Sequence, residues 1–388
     1  MFPIKTFGRN IKKALLEPGY ALNAFVKRTQ ASASYRFSKN GRAPFPESIT
    51  FFLTYKCNLR CKMCGQWGDE GINKAFDPAK VNAKLDIASY IKLLDEVKVF
   101  NPHVTLFGGE PLMYEEFEQL VHEIKKRGLH LGIITNGTLI KKHAVTIVNE
   151  GVDVVSLSVD GPAELHDKVR NMEGAFARIK EGADEITRLK DEKKTAKPVI
   201  NIVCTISDLN YKSIKEMPAV AKELHAGTLN LHHLIFTECE TVESHNKYFK
   251  EKFGVESKDW SGFIRPSVAD INIAQLAFDL QTLKTSNHPF LLTVYPDFNK
   301  EETLKYYTEK DFVSNAYPKR CLSPWVVAYI YPNGEVLPCH SLGFAAGNIN
   351  NETFKEVWNG KEMRKFRVEL KAKKHFGVCP KCTEMYRY

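Results

Sequence analysis

Two hydrophobic patterns alternate along residues 48–236. Short runs rich in β-branched and apolar residues lie at 48–55, 103–107, 129–135, 154–159, 199–206 and 229–236. Between them, apolar residues recur every three or four positions, the period of a helix, at 83–100, 115–128, 139–150, 174–191 and 211–226. Strands that alternate with helices predict parallel pairing and right-handed crossovers. The predicted fold is therefore α/β, a partial (β/α)6 barrel of the TIM type.

The remaining residues divide around this barrel into three further predicted segments. Residues 1–47 form an N-terminal arm, 48–236 the barrel, 237–320 an insertion or linker that covers the barrel mouth, and 321–388 a small C-terminal module. The module opens with "CLSPWVVAYIYPNGEVLPCH", in which strand-prone residues flank a "PNGE" turn. That pattern predicts a β-hairpin.

The net charge of +9 is concentrated in residues 1–46 of the N-terminal arm, which contain nine basic residues and one acidic residue, Glu17. The arm also carries apolar residues at near-helical spacing: Ile11, Leu15, Leu16, Leu22, Phe25 and Val26. A basic amphipathic segment predicts peripheral contact with an anionic membrane surface or an acidic substrate. The alternative is a helix that packs on the barrel and leaves its basic face in water.

Other features of the sequence indicate the cellular compartment and the kinds of partner. No apolar run reaches the roughly 18 residues of a membrane helix, and charges interrupt the first 30 residues, so no secretory signal is predicted. We expect a cytoplasmic protein whose nine cysteines serve as metal ligands or catalytic groups rather than disulfides. The sequence shows no basic patch interleaved with aromatic residues, so we predict no nucleic-acid partner.

Polar residues follow four of the predicted strands, at the end where parallel barrels carry their chemistry. They are Cys57, Cys61 and Cys64 after the first, "GGEP" (108–111) after the second, "TNG" (135–137) after the third, and Ser158 and Asp160 after the fourth. Thiolates suit iron–sulfur clusters and zinc. Three ligands leave one iron of a four-iron cluster open, as catalytic metals require. The alternative is a zinc site closed by a distant fourth ligand.

The spacing CxxxCxxC of Cys57, Cys61 and Cys64, with "GGEP" after strand two, resembles the radical S-adenosylmethionine (SAM) superfamily. The resemblance covers the barrel and the C-terminal module, not the arm or residues 237–320. It implies that the three cysteines and SAM coordinate one 4Fe–4S cluster. An electron from a donor such as flavodoxin or ferredoxin then cleaves SAM to a 5′-deoxyadenosyl radical, which abstracts hydrogen from an unactivated C–H bond.

The resemblance also implies contacts to SAM after strands two and three. Gly108 and Gly109 let the backbone approach the ligand closely. Glu110 is expected to accept from the methionine ammonium, and Asn136 lies where the ribose is expected. The family often has an aromatic residue before the third cysteine; here it is Met63, whose polarizable thioether can pack on the adenine.

Further contacts are implied after strand four. Ser158 resembles the residue that contacts the SAM carboxylate or ribose. Asp160 either joins that site or caps the following helix or turn. Arg170 either pairs with the methionine carboxylate through two hydrogen bonds or is a surface arginine. A substrate contact is expected at whichever of the adjacent His232 and His233 faces the barrel interior.

Four cysteines in the C-terminal module resemble a shortened SPASM, or twitch-like, domain: Cys321, Cys339, Cys379 and Cys382. The resemblance implies one auxiliary 4Fe–4S cluster with four protein ligands and no second auxiliary cluster. Zinc held by the same thiolates is the alternative. His340 stands where sulfatase-maturating relatives have a proton-accepting aspartate, so we predict a catalytic base. A hydrogen-bonded structural histidine is the alternative.

The reaction beyond hydrogen abstraction is open at this point. We expect a small polar, sugar-like or lipid-headgroup substrate that is oxidised or epimerised with help from the auxiliary cluster. Two alternatives remain, modification of a peptide or protein and a non-catalytic scaffold that binds zinc.

Overall fold

A computed structural model describes residues 18–257 and 259–388, and ten strands in these ranges form one sheet in the order β10-β9-β8-β1-β2-β3-β4-β5-β6-β7. Strands β1 to β7 pair in parallel with one another in this order, and β8 pairs in parallel with β1. Strand β9 pairs antiparallel with β8, and β10 pairs antiparallel with β9. The strands are β1 (Ser48–Phe52), β2 (His103–Phe107), β3 (Leu131–Thr135), β4 (Val154–Ser158), β5 (Val199–Thr205), β6 (Thr228–His232), β7 (Leu291–Tyr295), β8 (Val327–Ile330), β9 (Glu335–Leu337) and β10 (Gly347–Asn348).

Helices cover the outer face of this curved sheet. They are α1 (Pro18–Phe37), α2 (Pro78–Asn82), α3 (Ile87–Val97), α4 (Phe117–Lys126), α5 (Ile140–Asn149), α6 (Ala163–Arg170), α7 (Ala175–Lys193), α8 (Met217–Glu223), α9 (Cys239–Phe253), α10 (Ile273–Thr285), α11 (Lys300–Thr308), α12 (Phe354–Trp358) and α13 (Lys361–Lys373). Alternate strand side chains face the helices and are buried, as in Phe51, whose ring lies 5.1 Å from that of Tyr90. The intervening side chains line the interior of the barrel, here called the lumen.

The α/β class, the parallel sheet and the six predicted strands are confirmed, and so is the hairpin, which is formed by β8 and β9. Two features were not predicted. Strand β7 lies within 237–320 and pairs with β6, and β8 pairs with β1, so the C-terminal module continues the barrel sheet. The four-segment division of the chain stays a prediction.

Residues 381–384 bridge the open side of the barrel between β7 and the segment that leads into β8. The Tyr295 hydroxyl of β7 donates to the Thr383 carbonyl at 2.8 Å. On the other side, the Ser323 hydroxyl donates to Glu384 at 3.3 Å. Buried Lys381 donates to the Glu309 carbonyl at 2.7 Å. The cysteine-rich end of the chain therefore closes the gap that a six-unit barrel leaves.

Helix α1 packs across the end of the barrel where the strands begin. Lys27 donates to the Pro46 carbonyl at 2.9 Å, and Arg28 forms two hydrogen bonds of 2.5 and 2.7 Å with Glu47. Helix α1 thus packs on the barrel, as the alternative predicted, but these two cations point inward and not into water.

The apolar positions predicted for this helix point the other way. Leu22, Phe25 and Val26 are among the exposed large hydrophobic residues. Ile11, Leu15 and Leu16 lie outside the described residues. Contact with an anionic surface stays a prediction. Among the described helices, none has the length and apolar character needed to span a bilayer.

Asp153 ties three strands together where they begin. It is buried directly before β4, and its carboxylate accepts from Lys125 at 2.5 Å, from the Leu131 N–H at 2.8 Å and from Lys197. Burial opposes ionisation, but His130 and the two lysines outweigh it and lower the pKa of Asp153. The ionised carboxylate therefore stabilises the fold.

We predict that Asp153→Asn lowers the free energy of unfolding by about 3 kcal/mol at pH 7, because it removes the buried anion that accepts from Lys125, Lys197 and the Leu131 N–H. A depressed pKa contributes stability above the unfolded value of about 3.9, so the difference from wild type should narrow below about pH 4. Urea unfolding measures both effects. The exposed Asp184 pairs with Lys180 at 2.8 Å, and Asp184→Asn should cost at most about 1 kcal/mol. If both variants lost the same free energy of unfolding, the stabilising role of the ionised Asp153 would be contradicted.

Candidate active site at the barrel mouth

Cys57, Cys61 and Cys64 follow β1 and face one another at the barrel mouth. Cys61 is buried, and the other two are half-buried. Burial, with smaller contributions from the neighbouring Glu110, Cys61 and Cys64, raises the pKa of Cys57 to about 12. Burial also raises the pKa of Cys61. A bound cation would stabilise these two groups as thiolates.

Backbone N–H groups point at two of these sulfurs. The Leu59 N–H lies 3.5 Å from Cys57 Sγ, and the Gln66 and Trp67 N–H groups lie 3.4 and 3.3 Å from Cys64 Sγ. Such donors favour the thiolate form, which binds metals. The Trp67 indole N–H also donates to the Tyr55 carbonyl at 2.6 Å, so the loop closes back on its own start.

The loop after β2 contacts the loop after β1 directly through the backbone. The Gly109 N–H donates to the Thr54 carbonyl and the Glu110 N–H to the Lys56 carbonyl, both at 2.8 Å. A Cβ on Gly108 would lie 2.6 Å from the Thr54 oxygen, and one on Gly109 would overlap the Lys56 oxygen. Both glycines are therefore required for this close approach.

Glu110 joins the loops after β2 and β3. Its fully buried carboxylate accepts from the Thr135 hydroxyl at 2.6 Å, the Asn136 N–H at 2.8 Å and the Leu112 N–H at 3.0 Å. Burial raises the pKa of Glu110 to about 7 despite these donors. The structure gives this side chain a role in holding the loops, and its predicted contact with the SAM ammonium stays a prediction.

Asn136 connects the loop after β3 to the cysteine loop. Its amide nitrogen donates to Asn58 Oδ1 at 2.9 Å and lies 3.9 Å from Cys57 Sγ. Its amide oxygen accepts from the Thr138 hydroxyl at 2.7 Å. The residue is thus beside the thiols, and its predicted contact with the ribose stays a prediction.

Asp160 and Arg170 place a buried ion pair beside Cys61. Arg170 Nη2 lies 2.6 Å from Asp160 Oδ2, and Nη1 lies 3.8 Å from Cys61 Sγ. The other Asp160 oxygen accepts from the Thr205 N–H at 3.0 Å, and within the described chain this carboxylate caps no helix. Arg170 is therefore not a surface arginine. Ser158 ends β4 on the same rim and is half-buried.

One contact to the cysteine loop was missed because it comes from 237–320. Arg265 Nη2 donates to the Met63 carbonyl at 3.2 Å, and the backbone at Gly262 lies directly against Gly65. No motif surrounds Arg265, and about two hundred residues separate it from the loop it contacts. Met63 is half-buried, and its predicted contact with adenine stays a prediction.

The second cysteine set gathers Cys321, Cys339, Cys379 and Cys382 around the hairpin and residues 379–384. Burial is the largest cause that raises the pKa of each thiol, and the other cysteines of the set raise that of Cys339 and Cys379 further. Backbone groups of Ser323, Ser341, Phe376, Glu384 and Met385 oppose this rise in the pKa of the four thiols. In both sets, backbone groups near the sulfurs thus favour the thiolate form.

The donor chemistry of both sets fits an iron–sulfur cluster. All the donors are thiols, and hydrogen bonds to sulfur are a feature of such clusters. A zinc ion draws its sulfurs onto one sphere of about 2.3 Å radius, whereas a four-iron cluster binds each cysteine to a different iron. In the part of the chain that the structure describes, no three His, Cys, Asp or Glu side chains are gathered closely enough for a single metal ion.

His340 lies between the auxiliary cysteines and the lumen. Its ring lies 5.2 Å from that of Tyr329, its carbonyl accepts from the Tyr331 hydroxyl at 2.8 Å, and its buried Nδ1 has no hydrogen-bond partner among the described residues. Burial is the main cause that lowers its pKa; Glu384 raises it and Arg387 lowers it. The imidazole is therefore neutral at pH 7, and its role as a base stays a prediction.

Uncharged polar side chains line the opposite wall of the lumen. Asn201 on β5 donates to the Ser156 hydroxyl at 2.9 Å and accepts from Thr228 at 2.5 Å, and Asn230 and Thr293 extend the chain of hydrogen bonds. His232 lies next in this row, beside Tyr295. His233 points outward and is buried against Tyr307, 3.1 Å from its hydroxyl.

Comparison with known proteins identifies both cysteine-bearing regions. Residues 51–217 match the Radical SAM superfamily, and residues 321–383 match SPASM, an iron–sulfur cluster-binding domain. The AdoMet-dependent heme synthase of Methanosarcina barkeri is 28% identical over 343 residues, which cover 86% of this chain and 88% of that protein. The PqqA peptide cyclase of Gluconobacter oxydans is 24% identical over 325 residues, which cover 81% of this chain and 76% of that protein.

A solved structure shares the fold. The crystal structure of Streptococcus suis SuiB bound to the precursor peptide SuiA superposes with a TM-score of 0.60 and 15% identity over 92% of this chain and 74% of that chain. The predicted family and cofactors are confirmed. The chain belongs to the radical SAM superfamily, carries a SPASM domain, and takes SAM and iron–sulfur clusters as its cofactors.

Proposed function

We propose that this protein is an enzyme that cleaves SAM reductively and removes hydrogen from a carbon of a substrate held in the lumen. One observation carries the proposal: three thiols converge at the barrel mouth, between the buried Glu110 and the Asp160–Arg170 ion pair. Three protein ligands leave a position for a reacting molecule, which a structural metal site does not.

Cys57, Cys61 and Cys64 would hold the 4Fe–4S cluster at this position. The cluster, when bound, supplies the electron that splits SAM into methionine and a 5′-deoxyadenosyl radical. The N–H groups of the cysteine loop stabilise the thiolates, and Gly108 and Gly109 keep the loop after β2 against it.

Arg170 would bind the carboxylate of SAM. Its Nε is buried and has no hydrogen-bond partner among the described residues, so the guanidinium retains a donor beside Cys61. Asp160 orients the guanidinium through the 2.6 Å ion pair. Asn136 and Ser158 would contact the ribose and Met63 the adenine, and Glu110 would hold the loop that receives the ammonium.

The four cysteines of the SPASM domain would hold one auxiliary 4Fe–4S cluster with no open position. Its role would be to pass electrons, with His340 as proton acceptor beside it and a flavodoxin or ferredoxin as the external donor. We expect one auxiliary cluster because 321–388 contains four cysteines.

The proposed substrate class is inferred from the side chains that line the wall of the lumen. The hydrogen-bonded row from Ser156 to Thr293 offers uncharged polar groups, which suit a small polar compound whose product is oxidised or epimerised. Modification of a peptide is a second candidate with equal support, because the similar PqqA cyclase and the SuiB complex bear peptide substrates in their names.

We predict that Cys64→Ala abolishes release of 5′-deoxyadenosine from SAM under reductant, because it removes one of three anchors. Anaerobically reconstituted wild type should hold about eight irons per chain, four in each cluster. The variant should lose about four of them. Iron analysis and chromatography of the nucleoside measure the two effects.

Two cysteine variants serve as controls for this prediction. Cys379→Ala should lose the other four irons and still release 5′-deoxyadenosine. The exposed Cys239 belongs to neither set, so Cys239→Ala should behave as wild type. A colourless wild-type protein that contains zinc would refute the proposed function and favour the scaffold alternative.

We predict that Gly109→Ala weakens SAM binding at least about tenfold, because the added methyl overlaps the Lys56 carbonyl oxygen and separates the two loops. Equilibrium dialysis of the holoenzyme with radiolabelled SAM measures the affinity. A Cβ on Gly19 would meet nothing within 4 Å, so Gly19→Ala is the matched control. Unchanged affinity in Gly109→Ala would show that the loop contact is dispensable.

A further inference from the structure

Basic side chains gather around Cys321, one of the four cysteines of the SPASM domain. The Cys321 N–H donates to the Lys374 carbonyl at 3.0 Å, so the end of helix α13 lies against this cysteine. Lys319 and Arg320 directly precede Cys321 in the chain, and residues 36–39 add two more cations. We call this surface the cationic face. Its members are Arg36, Lys39, Lys319, Arg320, Lys373 and Lys374, and all except the half-buried Arg320 are exposed.

Contacts around the ring of Tyr35, on helix α1, hold the parts of the cationic face together. The Arg320 guanidinium lies 4.7 Å from the centre of that ring, and Lys371 Nζ of α13 lies 5.7 Å from it. Lys371 also donates to the Ser38 carbonyl at 2.9 Å. The end of α1, the residues before Cys321 and the end of α13 therefore form one continuous surface.

The charges of the cationic face are not neutralised by the part of the chain that the structure describes. None of its six side chains forms an ion pair there, whereas exposed cations elsewhere do, as Lys180 does with Asp184 at 2.8 Å. Glu369 is four residues from Lys373 on α13, but its carboxylate accepts from the Tyr248 hydroxyl. Grouped like charges of this kind create a positive potential that attracts an acidic partner.

The position of the cationic face beside the second cysteine set indicates what this acidic partner carries. The SPASM domain binds an iron–sulfur cluster, and Cys321 belongs to the set that would hold it. A molecule seated on Lys319, Lys373 and Lys374 would therefore adjoin the residues that enclose the cluster. Reductive cleavage of SAM consumes an electron that has to be delivered to the chain. A protein that carries single electrons meets both requirements.

We propose that the cationic face docks an acidic electron-carrier protein, which passes its electron to the auxiliary cluster. In this step the reduced carrier loses one electron and the oxidised cluster gains it, and no bond or proton changes place. The inference that the electron serves SAM cleavage rests on the proposed function. Charge complementarity and a short-lived encounter are typical of electron-transfer complexes.

The test mixes oxidised anaerobic holoenzyme with a reduced ferredoxin of net negative charge in a stopped-flow spectrometer. The absorbance of the ferredoxin reports its oxidation and gives a second-order rate constant. This constant should fall at least about tenfold as the salt rises from about 50 to about 500 mM, because salt screens attraction between exposed charges. No electron transfer, or a rate constant that salt leaves unchanged, overturns the proposal.

Two matched double variants locate the docking surface. Lys373 ends α13 and Lys374 follows it at a φ of 68°, while Lys193 ends α7 and Lys194 follows it at a φ of 52°. All four side chains are exposed, so each variant removes two similar charges. Lys373→Gln/Lys374→Gln should lower the rate constant at low salt at least about fivefold, and Lys193→Gln/Lys194→Gln should keep it within about twofold. Equal effects of the two variants overturn the proposal.

A further variant covers a failure of the first to fold, which melting temperature and iron content reveal. Lys319→Gln leaves α13 unchanged and should lower the rate constant at low salt at least about twofold. Cosedimentation with vesicles of phosphatidylglycerol tests a lipid surface instead. Binding to these vesicles that is lost in Lys373→Gln/Lys374→Gln, with an unchanged ferredoxin rate, overturns the proposal in favour of a membrane.

Release of 5′-deoxyadenosine with dithionite, a small reductant, distinguishes this inference from the proposed function. Lys373→Gln/Lys374→Gln should release the nucleoside as wild type does, since dithionite needs no docking surface. Release by wild type together with a ferredoxin rate that ignores these charges refutes the docking surface alone. A charge-dependent ferredoxin rate without any release refutes the proposed function and leaves the docking surface in place.

Discussion

The site depends on one backbone contact, the pair of hydrogen bonds that join residues 54–56 to Gly109 and Glu110. It brings the loop after β1 against the loop after β2 so closely that neither Gly108 nor Gly109 has room for a side chain. Glu110 then extends the contact to the loop after β3 by accepting from Thr135 and Asn136. Because three successive loops are joined in this way, the thiols of the first loop keep their positions relative to the polar groups of the third. A cofactor held by three protein ligands needs such a rigid surround, since its fourth position must stay open.

A second constraint follows from the open barrel. A sheet that does not close on itself has unpaired edges and an interior exposed to water. Here the edge beyond β8 is covered by β9 and β10, and residues 381–384 bridge from β7 to the segment before β8. The same residues adjoin Cys379 and Cys382, so whatever the second cysteine set binds also fixes the wall of the lumen. In this fold the SPASM domain is part of the barrel and not an appendage to it.

The sequence was sufficient to predict the parallel sheet and the residues that meet at the barrel mouth, because both depend on local patterns. Apolar periodicity marks each strand and helix, and the chemistry follows the strand ends. The features that the sequence did not predict depend on contacts between distant segments. Strand β7 is a short run without a flanking motif, and Arg265 reaches Met63 from about two hundred residues away. The inward orientation of two cations of helix α1 was not predicted for a related reason. Lys27 and Arg28 have buried acceptors at Pro46 and Glu47, and tertiary partners of this kind override an amphipathic pattern.

Charge and hydrogen bonding differ between the rim of the barrel and the wall of the lumen. At the rim, Arg170 is paired with Asp160 beside Cys61, where a cationic group stabilises thiolates. The carboxylate reduces the cost of burying this cation, and Arg170 Nε keeps a donor without a hydrogen-bond partner among the described residues. On the wall, the row from Ser156 to Thr293 consists of uncharged amides and hydroxyls that are hydrogen-bonded to one another. The ion pair therefore places its positive charge at the thiols, and the hydrogen-bonded row gives the wall neutral polar groups.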